Sequence, residues 1–258
     1  PRASVRVMNV THRLSWLMIL LSGIVAYWLV LFTMIATKNV VLFPTLLIVG
    51  ALSVPLTVLT WLDRRGPEPI VPGTALAGVA AVGGVVGGLF ASVLESMLAT
   101  PSGGAPPLGV AIIEESIKVA VPIGLLLVGV APRRDAGGVI GVAAGAGFAV
   151  LETMGYAFAV LLETGSLAAA DQTLLLRGIF APACHIAWTG MVVAVAWRAR
   201  YSAGRGWWVA ATIGTFIGVI VLHTAWDAFA ATLTTHLVIA LISLTGLLLA
   251  TRREVPHA

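Results

Sequence analysis

The sequence predicts an all-α fold, a polytopic membrane helix bundle of about eight transmembrane helices, on three observations. Of its 258 residues, 59% are hydrophobic and only 10% charged, with a mean hydropathy of +1.02; soluble domains run at ~45–50% apolar and ~25% charged. Apolar runs recur at about 20 residues, the helical length that crosses ~30 Å of hydrocarbon. Arginines gather in alternate gaps between those runs, as in a chain threaded back and forth across a bilayer.

Taken in order, the runs are 14–36, 40–62, 74–99, 108–130, 137–162, 175–197, 207–229 and 232–250. The first follows Arg2, Arg6 and Arg13; it is too long for a signal peptide and lacks a small-x-small cleavage site, so it reads as a retained anchor. Arg64 and Arg65 follow the second run, Arg133 and Arg134 the fourth, Arg198, Arg200 and Arg205 the sixth, and Arg252 and Arg253 the last. The other gaps hold Lys38, nothing ionisable at 100–107, Glu163 and Asp171 with Arg177 at the edge, and nothing charged at 230–231. By the positive-inside rule both termini are expected in the cytoplasm.

The third and fifth runs carry Gly83, Gly84, Gly87 and Gly88, and Gly137, Gly141 and Gly145. Small faces of this kind let helices approach closely, and they are assigned to packing. The longest polar stretches, 63–73 and 163–173, are loop-sized, so 1–258 reads as a single integral-membrane domain. The net charge of +4 is scattered in small clusters without a long basic tract, so the expected partner surface is the lipid bilayer and not nucleic acid. Cys184 is the only cysteine, which excludes an internal disulfide and a cysteine-rich zinc site.

Ionisable residues inside apolar runs cost at least ~2.5–3.5 kcal/mol each and must pair, line water or do chemistry. Here they are Glu114, Glu115 and Lys118 on the fourth run, Glu152 on the fifth, His185 on the sixth, and His223 with Asp227 on the seventh. Alternating topology and a ~1.5 Å rise per residue place all four groups ~9–15 Å below the outer face, in one layer. Within the fourth run, Glu114 and Lys118 are four apart and Glu115 is three from Lys118, so one glutamate can pair the lysine while its neighbour faces a cavity. His223 and Asp227 are likewise four apart, letting the aspartate orient the imidazole. Arg177 reads as an interfacial anchor, Glu95 is open between site and interface, and His12, His236 and His257 sit at span ends or tails and read as solvated.

Read in order, Glu114-Glu115-x-x-Lys118, Phe148-x-x-x-Glu152, Pro182-x-x-His185 and His223-x-x-Trp226-Asp227 resemble the motifs of the PrsW family of intramembrane proteases, within a wider group that includes the CAAX prenyl endopeptidases and the Aph-1 subunit of gamma-secretase. The resemblance covers about 74–230, the expected protease-like core; one departure is Thr153, where the family commonly has asparagine. It implies cleavage of a single-span membrane protein, of anti-sigma-factor type, in a bacterial plasma membrane. Glu114 and Glu115 would activate water, His185 and His223 would hold it or the developing oxyanion, and Glu152, Lys118 and Asp227 would complete the site. Glu115, His185 and His223 also make a catalytic zinc set, two His and one Glu with an open position. The metal-free glutamate reading is favoured, because Lys118 stands beside the glutamates and no H-E-x-x-H occurs. Two other classes use similar residues: a proton-coupled transporter, which calls for repeats and a midplane site, and a non-catalytic scaffold like Aph-1.

Overall fold

A computed structural model describes residues 2–65, 69–100, 103–131, 133–202, 204–229 and 232–252, with side chains from Leu14 onward except at Arg205. The described residues are helical almost throughout, with one isolated bridge between Thr100 and Gly103. Among the described residues, seven helical segments are long and apolar enough to cross a membrane. The segment around Glu114, Glu115 and Lys118 is not among them; its three charged residues lower its apolar character.

The chain divides into two compact units, residues 1–70 with 149–182, and residues 71–148 with 183–258. In the first, α1 (Arg2–Thr37) and α2 (Phe43–Asp63) form a helical hairpin, and α6 (Leu167–Phe180) packs on α2. Tyr27, Leu46, Leu47, Ala51 and Leu174 make its core, and the Tyr27 hydroxyl donates to Asp171. Trp28, Phe32 and Ile35 of α1 are exposed, as befits side chains solvated by lipid.

Helix α5 (Ala136–Thr164) gives its residues up to Phe148 to the second unit and the rest to the first. It ends at Gly165, whose φ of +65° suits glycine, and Ser166 then caps α6 by accepting from Ala169 N at 3.2 Å. The stretch 163–173, expected as a loop, is therefore only a tight connection followed by helix. Hydropathy misread it because Asp171 is polar yet paired within the unit.

In the second unit, α4 (Pro107–Leu127), α8 (Arg205–Ala228) and α9 (Leu233–Ala250) pack around one central element, α7 (His185–Tyr201), and α3 (Gly73–Leu98) packs on α4. Every residue from His185 to Trp197 is buried; an apolar run on all faces of a helix is what a central position requires. The small residues of α5 seat it. A Cβ on Gly145 would lie 2.5 Å from the His185 carbonyl oxygen, and one on Gly141 would lie 2.7 Å from that of Thr189. On its other side α5 meets α3, where a Cβ on Gly147 would lie 1.9 Å from Ala80 O. Of the glycines assigned to packing, Gly83, Gly84, Gly141 and Gly145 lie against backbone, Gly87 and Gly137 lie mainly against side chains, and a Cβ on Gly88 would meet nothing within 4 Å.

One expected span differs. The run 175–197 is not a single helix: α6 ends at Phe180, a 3₁₀ turn covers Ala181–Ala183, and α7 starts at His185. Pro182 has no N–H to extend the α6 ladder. Apolar segment 167–201 is continuous in composition although broken in conformation, so His185 opens a new helix and does not lie ten residues along one that starts at 175.

Candidate active site

Helix α4 brings three ionisable side chains to one buried place. Glu114, Glu115 and Lys118 are 5%, 0% and 0% exposed. Their positions in the helix turn the lysine back over the preceding turn, where Nζ donates to Glu115 Oε1 at 2.6 Å and pairs with Glu114 Oε2 at 3.0 Å. Burying a charge is tolerated only when it is paired and hydrogen-bonded. One turn on, Pro122 has no N–H for the Lys118 carbonyl, so the ladder is interrupted next to the cluster.

Helix α7 contributes His185 from its first position. Its Nδ1 stands 2.7 Å from Lys118 Nζ. An ammonium has no lone pair to offer, so Nδ1 accepts and the ring proton belongs on Nε2. The Phe148 ring of α5 completes the wall, with its centroid 4.6 Å from Lys118 Nζ and 5.6 Å from that of His185.

Helix α8 contributes His223 and Asp227, one turn apart. His223 Nδ1 donates to Glu115 Oε1 at 2.8 Å, and Nε2 faces Asp227 Oδ2 at 3.4 Å and Glu114 Oε2 at 3.8 Å. Carboxylates thus flank both ring nitrogens. Glu115 Oε1 receives two donors, while its Oε2 is buried and has no hydrogen-bond partner among the described residues.

Six of the seven residues singled out from the sequence fall in this unit, and Glu114, Glu115, Lys118, His185, His223 and Asp227 form one connected network. Glu152 belongs to the first unit, where its Oε1 pairs with Arg177 Nη2 at 2.8 Å. Arg177, expected as an anchor, also stacks on Tyr156 at 3.9 Å. His236, expected in solvent, packs its ring 4.2 Å from that of Trp226 and meets the Trp226 carbonyl at 3.2 Å. Glu95 is half-buried on α3; the His12 side chain and His257 lie outside the described residues.

Two further residues went unnoticed in the sequence. Trp188 is fully buried, with its ring centroid 4.9 Å from that of His223, and its Nε1 donates to Ser243 Oγ of α9 at 2.7 Å. A signal existed: His185-Ile-Ala-Trp188 and His223-Thr-Ala-Trp226 share the pattern H-x-A-W.

Donor chemistry here also suits a divalent ion. Glu114, Glu115 and His223 are all buried and each offers a ligand atom within 4.8 Å of the others. Carboxylate oxygen and imidazole nitrogen are common zinc donors, and Glu115 Oε2 is a buried oxygen still without a partner. The set fits by type and spacing, with Lys118 Nζ standing on two of the same side chains.

Among family models, the one described as PrsW family intramembrane metalloprotease matches residues 69–250. Comparison with curated proteins and with solved structures gave no match.

Proposed function

The chain belongs to the PrsW family of intramembrane metalloproteases, and we propose that this membrane-embedded peptidase cuts a single-span membrane protein, of anti-sigma-factor type, with the Glu114–Glu115 pair as base. One observation carries the proposal. Glu115 is clamped through Oε1 by Lys118 and His223, and its other oxygen is buried without a partner among the described residues. That oxygen is a pre-aimed acceptor for a water proton.

In this reading the water oxygen attacks the scissile carbonyl carbon as its proton passes to the glutamate pair. The carbonyl π electrons move to oxygen, and the His185 Nε2 proton is the donor nearest in chemistry to that oxyanion. Collapse of the tetrahedral intermediate breaks the C–N bond, and the carboxyl returns its proton to the leaving amine. Lys118 keeps the two carboxylates from repelling each other, and Asp227 holds the His223 ring. Glu114, Glu115 and His223 are the residues that would hold a divalent ion, which supplies Lewis-acid polarisation when bound.

The loop charges support a plasma-membrane protein with both termini in the cytoplasm and the 101–107 loop outside. The test is cleavage of a candidate single-span substrate by the purified chain in nanodiscs. Glu114→Gln, Glu115→Gln, His185→Ala and His223→Ala should each lower the rate by ~10²-fold or more while the protein stays folded. Full activity in both histidine variants refutes the site as drawn.

A further inference from the structure

Trp188 does not stack on the histidine of its own helix. Its ring lies 6.1 Å from that of His185 at a steep 68°, but 4.9 Å from that of His223 at a shallower 32°, a tilted ring contact between α7 and α8. The indole is itself fixed at two points. Trp226 meets it edge-on at 6.2 Å and 85°, and Nε1 donates to Ser243 Oγ at 2.7 Å. Ser243 and Trp188 are both 0% exposed, so this bond has no water to replace it.

We propose that Trp188 is a positioning residue for His223, and that α9 takes part in the site through the Ser243 hydroxyl that locks the indole. The torsion that turns an imidazole about its Cβ–Cγ bond is broad and has no sharp staggered wells. His223 nevertheless has to present Nδ1 to Glu115 Oε1 and Nε2 to Asp227 within one ring plane. The indole, inclined at 32° with its centroid 4.9 Å from that of the imidazole, restricts the out-of-plane freedom that those two bonds leave. The Ser243 bond stops the indole from sliding along α7. Two carboxylates pull on the ring and one indole limits its tilt. Catalytic groups need to be held within ~0.5 Å and ~10–20°.

The inference rests on the proteolytic reading for its rate consequence but not for its structural one, so the experiment has two readouts. Ser243→Ala leaves the indole N–H buried and unbonded; Trp188→Phe keeps a ring and loses the donor. In cleavage assays on the full chain in nanodiscs, each should lower kcat by ~10-fold with KM within about twofold, because a misaligned base network costs rate more than binding. With histidine labelled at the ring carbons, the His223 resonance, assigned by its loss in His223→Asn, should shift or broaden in both variants while the His236 resonance stays in place. An unmoved His223 resonance in the folded variants overturns the proposal, whatever the rate does. Should Ser243→Ala fail to fold, Trp188→Phe decides alone. If Glu115→Gln cleaves as well as the unaltered chain, the proteolytic reading fails, and the resonance still decides the role of Trp188.

Discussion

Replacing Lys118 by methionine keeps the length of the side chain and deletes its charge. The ammonium is 2.6 Å from Glu115 Oε1, 3.0 Å from Glu114 Oε2 and 2.7 Å from His185 Nδ1, with side-chain exposure of 0%. Removing it leaves the Glu114 and Glu115 carboxylates, 7% and 1% exposed, without their common counter-ion. Breaking a buried ion pair from one side costs ~3–5 kcal/mol, because the remaining charge stays desolvated. Lys118→Met should therefore unfold at clearly lower denaturant in detergent micelles, followed by tryptophan fluorescence. The second half of the test is non-additivity. Adding Glu115→Gln to Lys118→Met removes the stranded charge, so the double variant should recover ~1–3 kcal/mol relative to the sum of the singles. A divalent ion such as zinc should stabilise Lys118→Met more than the unaltered chain, since the lysine no longer covers the carboxylate oxygens. Additive single effects, or a Lys118→Met variant within ~1 kcal/mol of the unaltered chain, would show that the lysine does not hold the pair together.

Gly145→Ala should act on the site from outside it: the new Cβ would stand 2.5 Å from His185 O and 3.0 Å from Ile186 Cα, both backbone, so the start of α7 has to shift. We expect a loss of ~1–3 kcal/mol and at least tenfold slower cleavage, against Gly78→Ala, whose Cβ meets nothing within 4 Å and which should leave both unchanged. For topology, reporter fusions should place the 101–107 loop outside and both termini in the cytoplasm; the reverse orientation refutes the charge argument. With that orientation, product termini mapped by mass spectrometry should fall in the outer half of the substrate span, near Gly, Pro or small polar residues that loosen its helix. Cuts confined to the cytoplasmic half would place the catalytic layer on the wrong side.

Much of the helical framework was legible because hydropathy at the scale of 20 residues is nearly all that decides whether a segment can enter a bilayer. The six residues of the network were legible for the opposite reason: a charge in an apolar run is conspicuous. What hydropathy cannot show is a partner. Asp171 looked like a loop acid, yet it accepts from Tyr27, and the Arg177 partner of Glu152 does not show in a hydropathy profile. His236 looked solvated because its place near the end of a run says nothing of the Trp226 ring that it packs against. Trp188 and Ser243 escape hydropathy for a similar reason, since an apolar ring and a hydroxyl in an apolar run raise no cost that demands explanation; only the repeated H-x-A-W pattern marks Trp188.

The break before His185 shows how the motif and the fold depend on each other. A histidine in the middle of a continuous membrane helix presents its ring from the flank of the cylinder, with its backbone N–H already bonded. At the first position of α7, after the Ala181–Ala183 turn, the backbone N–H is one of the four that an α-helix cannot satisfy by itself. Irregular backbone of this kind survives in an apolar segment only where protein covers it, and Ala181, Pro182, Ala183 and Cys184 are all buried. Pro182 ends the preceding ladder, and Gly145 admits the His185 carbonyl at a distance no side chain would allow. The spacing P-x-x-H is thus a short description of a helix restarted beside the lysine and glutamates of α4, and the position of His185 follows from the break more than from the histidine itself.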